Sequence, residues 1–151
     1  MKYCGLLISV SDMEKSKNFY EKVMGQKVGM DLGIHVSFVN GFSLQSNYEE
    51  LVGEKLEMRS KPNNFQLYFE VEDLDSWEAK LKNTEGIEFI HPSKEYPWGQ
   101  RVMRFYDYDK YIVEVSESME SVARRFLMQG LTIEETAERT MYPVEFLKQL
   151  L

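Results

Sequence analysis

Short stretches of alternating apolar and polar residues recur along the first part of the chain. Two of them, residues 6–10 and 65–71, have the period of two that is typical of β-strands. Each leads to an Asp, Asp12 or Asp73, and then to apolar residues at helical spacing. An Asp side chain in that place accepts hydrogen bonds from the free N–H groups of a first helical turn. The pattern therefore predicts the same strand–helix unit twice, with the two Asp residues 61 positions apart.

Three further strands are expected after each predicted helix. In the first half they cover residues 26–30, 35–39 and 42–45, and Asn40–Gly41 is a strong hairpin signal. In the second half they cover residues 87–90, 101–106 and 111–115, with a turn-rich connector over residues 91–99. We therefore predict an α+β fold built from two tandem βαβββ modules. One domain would span residues 1–118, with modules over about 1–60 and 61–118.

The remaining residues, 119–151, predict a helical tail of three short helices. Residues 132–135 (Thr-Ile-Glu-Glu) form a capping box, and Pro143 suits the first position of the last helix. Isolated helices this short are marginal in water, so their apolar residues, which include Leu150 and Leu151, must pack on the chain's own domain or on a second copy. We expect a homodimer, with the tail contributing to the interface or covering its edge.

Charge and cysteine content narrow the classes of partner. The 151 residues carry a net charge of -7, which opposes binding to nucleic acid or to anionic membranes. The tail resembles a small helix-turn-helix unit, but from Glu117 onward it has six Glu against four Arg and Lys, which favours oligomerisation or capping over DNA binding. Cys4 is the single cysteine, and no signal-peptide pattern precedes the first strand. We therefore expect a cytoplasmic protein.

Several stretches, in this order and spacing, resemble the vicinal oxygen chelate superfamily, which includes glyoxalase I, bleomycin resistance proteins, extradiol dioxygenases and fosfomycin-modifying enzymes. They cover residues 10–25, 69–73, 98–101 and 107–114. The last stretch is similar to the family's Asp-Pro-Asp-Gly-Asn turn and its following strand with Glu, although the Pro and Gly are missing here. The resemblance implies that each module curls into half of a cup and that paired halves enclose a cleft.

Members of that superfamily that bind a divalent metal place four ligands on the inward face of the cup. By resemblance the four positions are Gly5, Gln45, Gln66 and Glu114 here, so only Glu114 keeps the family's residue. Glycine offers no ligand atom, and neutral amides bind transition metals weakly. The two histidines, His35 and His91, lie at neither ligand position. We therefore expect no cofactor; a divalent metal stays open but disfavoured.

Strand alternation directs a mixed set of side chains inward, including Gln45, Gln66, Tyr68 and Glu114. By resemblance, Trp98 and Arg101 belong to the stretch that lines the groove of bleomycin-resistance-like proteins. An indole face can stack on a planar ligand, and a nearby cation adds orientation. A packing role is equally open for Trp98 and Tyr68, and for Glu114 the slightly favoured alternative is a hydrogen-bonded carboxylate without a function. The candidate ligand-binding residues are therefore Gln45, Gln66, Tyr68, Trp98 and Arg101.

Three functions remain open from the sequence. The leading hypothesis is a bleomycin-resistance-like protein that binds a small molecule without the family's metal. The alternative is a lyase, isomerase, transferase or dioxygenase of the same superfamily with Glu114 as the catalytic residue, because a carboxylate sheltered from water can accept a proton near neutral pH. Such an enzyme would leave room for a divalent metal. The third is a regulatory or scaffold protein that acts through its tail.

Overall fold

Two compact units make up the described chain. A computed structural model describes residues 1–150, apart from the side chain of Leu150. Leu151, which belongs to the predicted apolar tail, and the side chain of Leu150 lie outside the described part of the chain. The first unit comprises residues 1–61 and the short segment 108–110. The second unit comprises the rest of the described chain.

The first unit is a four-stranded mixed sheet with its helices. Its elements are β1 (Leu6–Ser9), α1 (Met13–Asn18), which continues as a π-helical segment (Phe19–Val23), β2 (Val28–Asp31), β3 (His35–Phe38), β4 (Phe42–Gln45) and α2 (Tyr48–Val52). The strand order is β1-β4-β3-β2, and only the β1–β4 pair is parallel. Ile8, Phe19, Tyr20, Val36 and Leu44 form the centre of its core.

The predicted start of α1 is confirmed. The side chain of Asp12 accepts a hydrogen bond from the backbone N–H of Lys15 at 3.1 Å. Asp109, in the segment 108–110, adds a second anchor: its carboxylate accepts hydrogen bonds from the backbone N–H of Ser11 at 2.8 Å and from the hydroxyl of Ser16 at 2.9 Å. The entry to α1 is therefore held by two carboxylates, as the free N–H groups of a helix N-terminus favour.

The second unit repeats the arrangement and adds the tail. Its elements are β5 (Gln66–Val71), α3 (Leu74–Lys82), β6 (Glu88–Glu95), β7 (Arg101–Tyr106), β8 (Ile112–Glu117), α4 (Met119–Met128), α5 (Ile133–Thr140) and α6 (Val144–Leu150). The strand order is β5-β8-β7-β6, and only β5–β8 is parallel. Asp73 caps α3 by accepting from Ser76 N–H at 3.0 Å. The predicted α+β fold with two βαβββ modules is therefore confirmed.

Strand β6 differs from the prediction. The sequence places a strand over residues 87–90 and a connector from His91 onward, whereas β6 continues to Glu95. Pro92 lies inside this strand, where it can donate no ladder hydrogen bond. The strand tolerates it because β6 is at the sheet edge and its register with β7 shifts between Phe89 and Lys94.

The tail forms the three predicted helices and packs on its own unit. Thr132 and Glu135 make the predicted capping box at the start of α5. The ring of Phe126 on α4 is buried so close to Gly99 that a Cβ built there would lie 2.2 Å from the ring. Gly99 also has a φ of 86°, so this loop needs glycine for two reasons. Among the described residues, no helix is long and apolar enough to cross a membrane.

Candidate functional site

Polar side chains occupy one face of the second unit's sheet. Strand register sets Glu114 on β8 beside both Tyr68 on β5 and Arg104 on β7. Because side chains alternate between faces, Gln66, two residues before Tyr68, and Ser116, two residues after Glu114, lie on the same face. Polar side chains from three neighbouring strands therefore meet on a surface that in many sheets would be apolar.

Glu114 is buried and contacts two neighbouring side chains through its Oε2. Its side chain is only 9% exposed, and it forms an ion pair with the Arg104 guanidinium. The Gln66 amide donates to the Glu114 Oε2 at 2.8 Å, and Arg104 Nε donates to the Gln66 Oε1 at 3.1 Å. The three side chains therefore form a closed triangle in which the charge of Glu114 is neutralised by Arg104.

Arg104 is the residue of this face that the sequence analysis missed. Besides Glu114, its guanidinium donates to the Tyr96 hydroxyl and lies 3.2 Å from His91 Nε2. His91 Nδ1 lies 2.8 Å from the Pro92 carbonyl oxygen, so the tautomer with the proton on Nδ1 leaves Nε2 free to accept from Arg104. A signal was present: counting outward from a three-residue turn at residues 108–110 pairs Arg104 with Glu114.

A second group surrounds the buried side chain of Gln100. The Gln100 amide nitrogen donates to Ser116 Oγ at 3.2 Å and to the Glu117 carbonyl oxygen at 2.9 Å, and it lies 3.4 Å from the Tyr68 hydroxyl. Its amide oxygen accepts from the Trp98 indole N–H at 3.0 Å. Gln100 therefore fixes the positions of both Tyr68 and Trp98. Trp98 also stacks on Tyr96, with ring centroids 4.8 Å apart.

Tyr68 is held in its neutral form. Its hydroxyl donates to Glu70 Oε1. Partial burial, and then this hydrogen bond to a carboxylate, raise the pKa of Tyr68, while Ser116 and Gln100 act in the opposite direction. The phenol is consequently a hydrogen-bond donor to Glu70 at physiological pH.

An open pocket of about 480 Å³ lies against this second group. It brings together two of the sequence-predicted residues, Tyr68 and Trp98. Its complete lining is Tyr68, Glu70, Trp98, Gln100, Met119, Thr140, Met141 and Tyr142. A volume of this size is within the range of small-molecule sites.

Arg101 lies elsewhere, which corrects its expected position beside Trp98. It is on the opposite face of β7, where its Nε and the buried Glu117 Oε1 are 2.8 Å apart and its Nη1 donates to Asp75 on α3 at 3.0 Å. Burial alone would raise the pKa of Glu117, but hydrogen bonds from Arg101 and Arg125 hold it below the ordinary value. Arg101 lines a separate pocket of about 440 Å³ and holds α3 and β8 together.

Gln45 belongs to the first unit and has both ends of its amide occupied. It is buried, its Oε1 lies 3.0 Å from His35 Nδ1, and its Nε2 donates to the Ser46 carbonyl oxygen at 2.7 Å. His35 and Gln45 are direct cross-strand neighbours on β3 and β4. The histidine is therefore a hydrogen-bonded partner of Gln45.

Gly5, the first of the four implied ligand positions, has no room for a side chain. Its φ is 139°, a conformation that residues with a Cβ rarely adopt, and a Cβ built there would lie 2.2 Å from the Gly41 carbonyl oxygen. That carbonyl accepts from the N–H of Leu6 at 3.0 Å, so it is fixed by the backbone. Within the part of the chain that the structure describes, no group of three or more His, Cys, Asp or Glu is placed to hold a metal.

The fold and the sequence together define the class of protein. Residues 3–120 match the family model of the glyoxalase-like domain, so the chain belongs to the glyoxalase-like family within the vicinal oxygen chelate superfamily. A crystal structure of a protein of unknown function from Agrobacterium tumefaciens is 35% identical, with a TM-score of 0.70. The match covers 78% of this chain and 94% of that one.

Two more distant structures share the fold. A glyoxalase-related enzyme from Fulvimarina pelagi is 21% identical, with a TM-score of 0.63 over 78% of this chain and 89% of that one. The genomically encoded fosfomycin resistance protein FosX from Listeria monocytogenes is 17% identical, with a TM-score of 0.60 over 78% and 93%. No curated protein sequence matches the chain.

Proposed function

We propose that this protein binds a small organic molecule in the pocket beside Tyr68 and Trp98, without the divalent metal used by many members of its superfamily. The observation that carries the proposal is the pocket itself. It combines aromatic faces with an amide and a carboxylate, which is the composition of sites that orient a ligand by a few polar contacts. Gln100 holds Tyr68 and Trp98 in place before a ligand arrives, which reduces the entropy lost on binding.

The donor chemistry of the four implied ligand positions supports the absence of a metal. In the first unit, Gly5 cannot carry a side chain, and Gln45 is a neutral amide already bonded at both ends. In the second unit, Gln66 is a neutral amide, and Glu114 is paired with Arg104. A cation at Glu114 would have to compete with a guanidinium for the same carboxylate. These residues do not fit a divalent metal.

The same ion pair weakens the case for Glu114 as a catalytic base. A base must be free to receive a proton from a substrate, and it must lie within hydrogen-bond reach of that proton. Arg104 and Gln66 both direct their donors at Glu114 Oε2. We therefore assign Glu114 and Gln66 a structural role in the sheet next to the pocket, and the proposal contains no chemical step.

Assembly and location are further parts of the proposal. We propose a homodimer, as the apolar tail suggests, although Phe126 and Leu147 of the tail are already buried within the second unit. Phe146 remains partly exposed on α6 and is available to an interface. A cytoplasmic location remains an expectation drawn from the single cysteine.

The proposal can be tested by recording amide NMR spectra of the labelled protein while a library of small-molecule fragments is added. A chelator is present, so that any binding occurs without a divalent metal. The chain has two tryptophans, Trp77 on α3 and Trp98, so a Trp77→Phe variant leaves the Trp98 indole N–H signal alone in its region. We expect fragments to shift this signal together with the amide of Tyr68. If fragments shift these signals only after a divalent metal is added, or never, the proposal fails.

A further inference from the structure

The pocket has a wall that lies outside the family's domain. The family model ends at residue 120, whereas Thr140 is the last residue of α5, and Met141 and Tyr142 lie in the turn between α5 and α6. These three residues line the pocket together with Tyr68 and Trp98 of the sheet unit. The helical extension therefore contributes directly to the candidate binding site.

The turn is fixed from both sides. Thr140 is buried, and its hydroxyl donates to the Thr136 carbonyl oxygen at 2.8 Å. Tyr142 stacks on Phe146 of α6, with ring centroids 4.7 Å apart. Arg139, at the end of α5, donates to Glu95 on β6 at 2.9 Å. The turn is therefore held against the sheet and can keep a defined shape when a ligand enters.

Met141 holds a backbone conformation that glycine or asparagine usually takes at the end of a helix. Its φ is 59°, and it forms the C-cap of α5. A side chain with a Cβ costs free energy in this region, and such residues persist where the surroundings hold them. Met141 is 75% exposed, so burial of its side chain does not account for its presence. Its position on the pocket lining offers a reason.

The pocket has one charged side chain. Glu70 accepts a hydrogen bond from the Tyr68 hydroxyl, and within the described chain no cationic side chain pairs with it. The other lining groups include three aromatic rings (Tyr68, Trp98, Tyr142) and two thioethers (Met119, Met141). Aromatic faces attract cations, and thioethers adapt to apolar groups of irregular shape. Together with the carboxylate, they suit a cation attached to an apolar body.

We propose that the helical extension completes this pocket, that Met141 helps to determine which molecules it accepts, and that its ligand is a small organic cation with an aromatic or other flat apolar group. This inference rests on the proposed function, because it names the ligand class of the same pocket. It adds two claims of its own, the preference for a positive charge and the contribution of the tail.

Three probes of matched shape separate charge from shape: naphthylmethylamine, naphthylmethanol and naphthoate, which are cationic, neutral and anionic near neutral pH. Their dissociation constants come from calorimetry and from the shift of the Trp98 indole N–H signal. We expect the amine to bind about fivefold more tightly than the alcohol, and naphthoate to bind most weakly. Glu70→Gln should remove the preference for the amine. Glu138→Gln removes one negative charge from an exposed position on α5 and should leave the preference unchanged.

Met141→Gly tests the contribution of the tail without straining the backbone. Glycine accepts the positive φ, so the melting temperature should not fall, while loss of the side chain should weaken the amine and the alcohol about threefold. Asn47→Gly is the matched control, because Asn47 also has a positive φ, of 53°, but lies in the first unit. It should leave both affinities unchanged.

The outcomes separate this inference from the proposed function. Equal binding of amine and alcohol, or no binding of the amine, overturns the cation preference, even if other fragments still shift the Trp98 signal. Unchanged affinities in Met141→Gly overturn the role of the tail. If no molecule in either experiment reaches Trp98 or Tyr68, both the inference and the proposed function fail.

Discussion

Replacing Arg104 by Met should destabilise the protein strongly, because it leaves the buried Glu114 without its counter-ion. The Glu114 side chain is 9% exposed, and of its two described partners only the Gln66 amide would remain. Breaking a buried ion pair by removing one partner costs about 3–5 kcal/mol. For a protein of this size that corresponds to a fall in melting temperature of roughly 6–20 °C. Methionine keeps much of the apolar volume of the arginine stem, so a cavity contributes little.

A double-mutant cycle isolates the ion pair from other effects. Glu114→Gln removes the charge but keeps an amide that can bond to Gln66, so we expect a loss of about 1–2 kcal/mol. In the double variant Arg104→Met/Glu114→Gln neither charge of the pair remains. Its loss of unfolding free energy should therefore be smaller than the sum of the two single losses by about 2 kcal/mol or more. Urea unfolding, followed by tryptophan fluorescence and circular dichroism, gives each free energy.

The control for this cycle is a surface pair on α4. Arg124 pairs with Glu120 one helical turn away, and its side chain is 57% exposed. Arg124→Met should therefore cost less than about 1 kcal/mol. If Arg104→Met costs no more than this control, or if the two changes at Arg104 and Glu114 are additive, the account of Glu114 as a structural ion-pair partner is wrong.

Three further predictions concern other parts of the chain. Gly5→Ala should destabilise the first unit by about 2 kcal/mol or more, because the new Cβ meets a fixed carbonyl oxygen, whereas Gly29→Ala, which makes only ordinary contacts, should change stability by under about 0.5 kcal/mol in urea unfolding. The pKa of Glu117 is lowered in the folded state, so the ionised carboxylate stabilises the fold fully above the unfolded-state pKa near 4.5, and this stabilisation should be lost as the pH falls below that value. In thermal melts, the melting temperature of Glu117→Gln should therefore fall less steeply at acid pH than that of the wild type. Sedimentation at micromolar concentration should give about twice the monomer mass of 17.8 kDa, and a mass near the monomer would reject the homodimer.

Much of the fold could be predicted because its signals are local. The residues around Asp12 and Asp73 predict that both are helix caps, and both make the expected hydrogen bonds. The capping box of Thr132 and Glu135 was equally visible. Pro92 misled the prediction of β6, since its place in a strand depends on a register shift against β7 that the sequence does not display.

The candidate site was harder to predict because its geometry depends on contacts between distant elements. Trp98 and Arg101 are three residues apart, yet they line different pockets, and Gly99 between them has a positive φ and lies close to Phe126 of α4. Arg104, whose charge decides the role of Glu114, required the register of the β7–β8 hairpin. The wall supplied by Met141 depends on how the tail packs, which no local pattern encodes.

Metal content tests the central claim most directly. The wild-type protein and Glu114→Gln are each dialysed against an excess of nickel, zinc, manganese or ferrous ions, freed of unbound metal, and analysed for metal per chain. Because Gly5 offers no ligand and Arg104 already pairs with Glu114, we predict far less than one metal per chain, with equal values for both proteins. One metal per wild-type chain that Glu114→Gln removes would contradict the account.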